Sequence, residues 1–167
     1  MAWVTPSNVA TGDVLTAATW NQDVVENTKR LPRGVVGVAK ASSVDQTGIT
    51  TIADVTGCSV TFTAEANRYY VAVGFVVDSA SSGSPALQTT QITNSAASVV
   101  YAREITHFTA GGGNLHTSQC ESEPLTFAAG STTLKLRFGR SGGDAATYTV
   151  NNSTMPAWIA VYDAGAV

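Results

Sequence analysis

Charge is scarce in this sequence. Only 13% of its 167 residues are Asp, Glu, Lys or Arg, about half of the ~25% usual for a soluble domain. Nine basic and twelve acidic residues leave a formal net charge of −3, scattered rather than run together. Neutralising phosphates takes a basic stripe, so no nucleic-acid partner is expected. Cysteine is scarcer still. Cys58 and Cys120 are the only two, too few for a disulfide framework and without metal-site spacing. Cys58 alternates in phase with Val60 and Phe62 and reads as a small buried hydrophobe, whereas Cys120 lies in a polar segment and is expected to be partly exposed. No stretch approaches the roughly 18 apolar residues that cross a bilayer, so no membrane partner is expected. The N-terminal Met-Ala-Trp-Val-Thr-Pro lacks the basic and apolar regions of an export signal. The chain is therefore expected to be made, and at first kept, in the cytoplasm.

Hydroxyl, amide and glycine residues carry the polarity instead, a composition that suits strands better than helices. The length suits one domain with a short appendage, which we divide as residues 1–32, an arm with a helix, and 33–167, a β-sandwich head. In the arm, Pro6 restricts Thr5 to an extended conformation. Trp3 is a large apolar side chain on a segment too thin to bury it, and either folds back or docks on a partner. Ala17, Trp20, Val24 and Leu31 then form a narrow apolar stripe at helical spacing. Thr16 is a candidate N-cap, Thr19 with Gln22 offers an alternative capping box one turn on, and Pro32 ends the helix. A helix this short is marginal alone, so its stripe needs a surface.

From Arg33 onward the period is two. Val36 to Val44, Cys58 to Phe62, Tyr69 to Val77, Ala86 to Thr93, Val99 to Phe108, Leu115 to Glu121, Leu134 to Phe138, Ala146 to Asn151 and Trp158 to Tyr162 read as strands. Turn signals separate them: Ser81-Ser82-Gly83-Ser84-Pro85, Gly111-Gly112-Gly113 and Ser141-Gly142-Gly143-Asp144. Eight or nine strands at this spacing predict an all-β antiparallel sandwich of jelly-roll type. An antiparallel strand with one wet face alternates apolar and polar residues. Tyr69–Val77 and Trp158–Tyr162 are apolar on both faces, so something must cover the second face. Another subunit or the arm helix would serve, and the narrow stripe of the helix favours the subunit.

No catalytic constellation can be assembled. His107 and His116 are the only histidines, and neither lies in a nucleophile elbow. Strand parity separates His116 and Cys120 from Glu121, which leaves no metal set. Glu121 and Glu123 have no facing carboxylate, and Gly111–Gly113 lacks the Lys-Ser/Thr pair of a phosphate loop. No enzyme activity, cofactor or metal is expected.

Trp3-Val4-Thr5-Pro6, Thr11-Gly12-Asp13-Val14-Leu15-Thr16-Ala17-Ala18 and Trp20-Asn21-Gln22-Asp23-Val24 with Asn27 resemble the N-terminus of small virion proteins of tailed bacteriophages, especially those of actinobacterial hosts. Pro156 to Asp163 resembles their last strand. Members are described variously as capsid decoration proteins, head fibres or minor tail proteins. The resemblance implies a trimeric jelly roll anchored by its N-terminus on the virion surface, with the major capsid protein or tail proteins as partners. In that arrangement Trp3, Trp20, Val24 and Leu31 form the anchor, and Tyr69, Val71, Trp158, Val161 and Tyr162 the interface between subunits. A tail-tip protein with a receptor- or carbohydrate-binding head is the alternative, with Tyr101, Phe108 or Tyr148 near loops as candidate sugar platforms.

Overall fold

In the computed structural model, residues 16–21, 24, 26–80, 86–108, 114–143 and 146–167 are described. Their architecture is a two-sheet antiparallel sandwich. Ten strands occur among them: β1 (Gly34–Lys40), β2 (Gln46–Ile49), β3 (Ala53–Ala64), β4 (Arg68–Ala80), β5 (Ala86–Asn94), β6 (Val100–Phe108), β7 (His116–Glu121), β8 (Gly130–Gly143), β9 (Tyr148–Val150) and β10 (Trp158–Ala166). One sheet runs β3-β8-β5-β6. In the other, β4 carries β10 and β9 in succession along one edge and β7 along the opposite edge, because Asp78 pairs with Val150 on one side and His116 on the other. β1 and β2 flank β10 and β9 in the same way. Each sheet is thus four strand-widths across, and the chain passes back and forth between them, which is jelly-roll topology. β2 is a strand that composition does not announce, since Gln46-Thr47-Gly48-Ile49 does not alternate.

Helical structure occurs at α1 (Ala17–Trp20) and α2 (Glu26–Thr28). The Trp20 N–H donates to the Thr16 carbonyl at 2.9 Å, which places Thr16 at the helix entry. Neither short helix makes an extensive contact with a strand, although Asn27 of α2 is buried. Residues 29–32 instead lie across one end of the sandwich. There the Arg68 guanidinium donates to the Lys29 and Leu31 carbonyls and makes a two-pronged ion pair with Asp163, at 2.7 and 2.8 Å. Arg68 and Asp163 are both buried, so the chain end of the head and the start of β1 are tied through one desolvated pair.

The core forms where inward-facing residues of the two sheets meet: Val60, Phe62, Ala72, Val76, Ile92, Leu134, Leu136, Phe138, Ile159 and Val161. Phe62, Tyr70, Tyr101 and Phe127 close it at the arm end with ring centroids 5.1 to 5.9 Å apart. Gly74 lets the sheets approach here, because a Cβ on it would sit 2.5 Å from Leu136 Cδ1. Cys120 pairs with Gly74 and faces inward, buried rather than partly exposed. The side chain that glycine lacks leaves room for its sulfur. Burial pushes the Cys120 thiol up to about 12 and the Cys58 thiol up to about 11.

Candidate functional site

The outer face of the β1–β10–β4–β7 sheet is the most distinctive surface of the molecule. Residues paired across an antiparallel ladder share a face, so the registers define it row by row. Lys40, Trp158, Phe75 and Gln119 form one row; Val38, Ala160, Val73 and Glu121 form the next. Val35, Tyr162 and Val71 form a third, with Tyr69 beyond it. Nine apolar side chains therefore stand together on the outside of this sheet. Val35, Val38, Tyr69 and Tyr162 are among the exposed large hydrophobics, Val38 at 60% and Tyr162 at 37%. Trp158 and Phe75 stack on each other, with centroids 5.9 Å apart and ring planes 16° from parallel. Each shields the other's face.

The nine stand on three strands, β1, β10 and β4, about 4.8 Å apart, while β7 contributes Gln119 and Glu121. Val71, Val73, Phe75 and Trp158 are half-buried and Ala160 is buried. An apolar patch on the order of a few hundred Å² is within the range of the largest patch on a monomer, which is often functional. Neither α1 nor α2 makes an extensive contact with a strand of this sheet. Four of the five interface residues drawn from the sequence, Tyr69, Val71, Trp158 and Tyr162, belong to this face. Val161 does not. It pairs with Ala72, faces the core and is 0% exposed. Val35, Val38, Val73 and Phe75 complete the face; Val73 and Phe75 share the parity of Val71, the sequence signal that could have found them.

At the arm end, Trp20 and Leu31 are about half exposed, at 49% and 50%, and Val24 is half-buried. Trp3 lies outside the described residues. Beside Leu31 a cleft is lined by Lys29, Arg30, Arg33, Glu65, Asn67 and Arg68. Arg33 is paired with Glu65, and the carboxylate, through its hydrogen bond above all, raises the Arg33 pKa. Four of the nine cations of a charge-poor chain converge at this end.

The opposite end of the sandwich receives the strand ends that lead into residues 81–85, 109–113 and 144–145. Beneath them lies a buried polar cluster. Asp78 and Gln88 are 0% exposed. The Gln88 amide nitrogen lies 2.9 Å from His116 Nδ1, 3.1 Å from Ser118 Oγ and 3.5 Å from Asp78 Oδ1. His116 Nδ1 is 3.7 Å from Asp78 Oδ1. Burial pushes the Asp78 carboxyl up to about 7, Gln88 offsets part of that and Glu104 adds to it. Asp78 Oδ2 has no hydrogen-bond partner among the described residues. Of the aromatics considered as sugar platforms, Tyr148 is fully buried and Tyr101 packs edge-on against Phe127. The Phe108 side chain lies outside the described residues. Among the described residues no group of three or more His, Cys, Asp or Glu side chains could hold a metal ion.

No family model matches this chain, and no curated protein matches it. Solved structures match at low identity. A carbohydrate-binding module of Cellvibrio mixtus lichenase 5A, in complex with cellotriose, is 16% identical over 76% of this chain and 96% of its own, with a TM-score of 0.37. A structure described as "CBM4 structure and function" is 12% identical over 70% of this chain and 77% of its own, with a TM-score of 0.36. Infectious bursal disease virus, Gx strain, is 13% identical over 81% of this chain and 37% of that one, with a TM-score of 0.39.

Proposed function

We propose that this protein is a non-enzymatic structural component of a bacteriophage virion, a trimeric capsid decoration protein held on the shell by its N-terminal arm and helix. The observation that carries the reading is the apolar outer face of the β1–β10–β4–β7 sheet. A structural protein that works by assembly needs area and complementarity, and this face offers area without a catalytic group. Three copies bury it around a shared axis. The arm ends, with Trp20, Leu31 and the cationic cleft, then lie to one side and meet the major capsid protein. Three weak anchors held on one body bind far more tightly than one. The resemblance of the first thirty residues to phage virion proteins supports the same assignment, and the virion surface is the corresponding location.

The test is addition of the purified protein to empty capsids of the cognate phage. Saturating, countable binding with a raised resistance of the shell to heat is the expected result. Binding to host cells or cell-wall sugars, with capsids left bare, would replace this reading by the second one, a minor tail or tail-tip protein. The second reading is favoured by one feature: the strand ends leading into residues 81–85, 109–113 and 144–145 gather at the end opposite the arm, where a recognition surface would project.

A further inference from the structure

The apolar face is bounded by two unlike edges. Along β1 it ends in Lys40; along β7 it ends in Glu121. The registers put Lys40 at one end of the row that runs through Trp158 and Phe75, and Glu121 at the far end of the adjacent row, through Ala160 and Val73. Three strand spacings separate them, about 14 Å, so they cannot pair within one chain. Both are exposed, and neither has an ion-pair partner among the described residues. Lys135 and Arg137, on the outer face of the other sheet, both pair with Asp54. Arg103, in the same row as Arg137 through Gln91, is exposed and has no ion-pair partner among the described residues; on the sheet with the apolar face, Lys40 and Glu121 mark opposite borders.

We propose that the occupant of this face is a second copy of the same chain, set so that the β1 edge of one protomer lies against the β7 edge of the next, with Lys40 facing Glu121 across the boundary. The inference rests on the self-assembly reading above and adds the orientation to it. A face basic along one edge, acidic along the other and apolar between is complementary to itself only when unlike edges meet. Like edges meeting would set Lys40 against Lys40 or Glu121 against Glu121, which disfavours the reversed arrangement. A contact between unlike edges fits a twofold pair, in which Lys40 meets Glu121 twice, and it also fits a head-to-tail contact that closes a ring when repeated about an axis; the trimer of the reading above takes the second form. The face alone offers less than the about 800 Å² per partner of a standard interface. In a ring each protomer contributes both edges, so two such contacts act on every chain.

Light scattering over a dilution series at low and high salt tests this with the wild type, Lys40→Glu, Glu121→Lys and the double exchange. Both positions are exposed, and circular dichroism with a thermal melt verifies that each variant is folded. The expected result is that each single exchange weakens assembly by about ten-fold or more at low salt, because an exposed pair worth little alone recurs at every contact of the ring. The double exchange recovers most of that loss, and high salt narrows the differences. Wild type that assembles while the single exchanges have no effect, or single losses that the double exchange does not recover, would overturn the edge pairing and leave self-assembly standing. A dimer with the same charge response would keep the pairing and remove the threefold arrangement. A wild type that stays monomeric at all concentrations would overturn both.

Discussion

Asp78 gives the fold an unusual pH response. Its carboxyl is 0% exposed and is pushed up to about 7, first by burial, against 3.8 in the unfolded chain. The native state therefore holds a proton that the unfolded state has released between about pH 4 and pH 7. By linkage, stability from this group is fully present below the unfolded value and is lost as pH rises through about 7. At 1.36 kcal/mol per pK unit the full loss is about 4 kcal/mol, an upper bound because His116 lies 3.7 Å away and, when protonated, compensates part of the charge. Asp78→Asn keeps the shape and an oxygen acceptor for the Gln88 amide while removing the charge. We expect the variant to match wild type within about 1 kcal/mol at pH 4 and to exceed it by about 2–4 kcal/mol at pH 8, with a Tm gain of roughly 5–15 °C there. Urea or thermal unfolding at the two pH values, at fixed protein concentration, measures the difference. A variant less stable than wild type at pH 8, or a difference that does not change with pH, would refute the argument.

Four further outcomes follow from the packing. Arg68→Met leaves Asp163 charged and buried without its counter-ion, with the Gly165 N–H still donating to it, and takes the Arg68 donors from the Lys29 and Leu31 carbonyls, so it should cost about 3–5 kcal/mol in denaturant unfolding; adding Asp163→Leu should return part of that loss. Gly139→Ala would place a Cβ 2.2 Å from the Thr51 carbonyl oxygen at φ +153, and should cost more than about 3 kcal/mol or abolish soluble expression. Gly34→Ala, at φ +75 with open space around it, should cost only about 1 kcal/mol. Neither thiol of the native protein should react with a thiol reagent at pH 8, and both should react in guanidinium, because burial holds both well above the ordinary thiol range; a fast-reacting native thiol would contradict the burial of Cys120.

Most strands were legible because their residues alternate or cluster between turn signals. Cys58, Val60 and Phe62 face the core with Ser59, Thr61 and Thr63 outside, as alternation requires. Where alternation is missing, facing is a property of pairing and not of composition. Trp158–Tyr162 is apolar at every position, so Val161 looks like its neighbours until its register with Ala72 turns it inward. Cys120 sits among polar residues and is buried because Gly74 faces it. The short β2 exists through its pairing with β9. Asp78, Gln88, His116 and Ser118 come from three strands and have no local signature at all. The apolar face was foreshadowed by two strands with no wet side. Its edges, Lys40 and Glu121, became visible only once the order β1–β10–β4–β7 was known.

The central claim is that the apolar outer face of the β1–β10–β4–β7 sheet is buried between copies of this chain. Native mass by light scattering on the purified full-length protein, at micromolar concentration, tests it most directly. The account predicts a trimer, three times the 17.2 kDa chain mass or about 52 kDa, that dissociates on dilution and is weakened by Trp158→Ser or Val38→Asp without loss of fold. A stable monomer at every concentration, with the same exposed face, would contradict it.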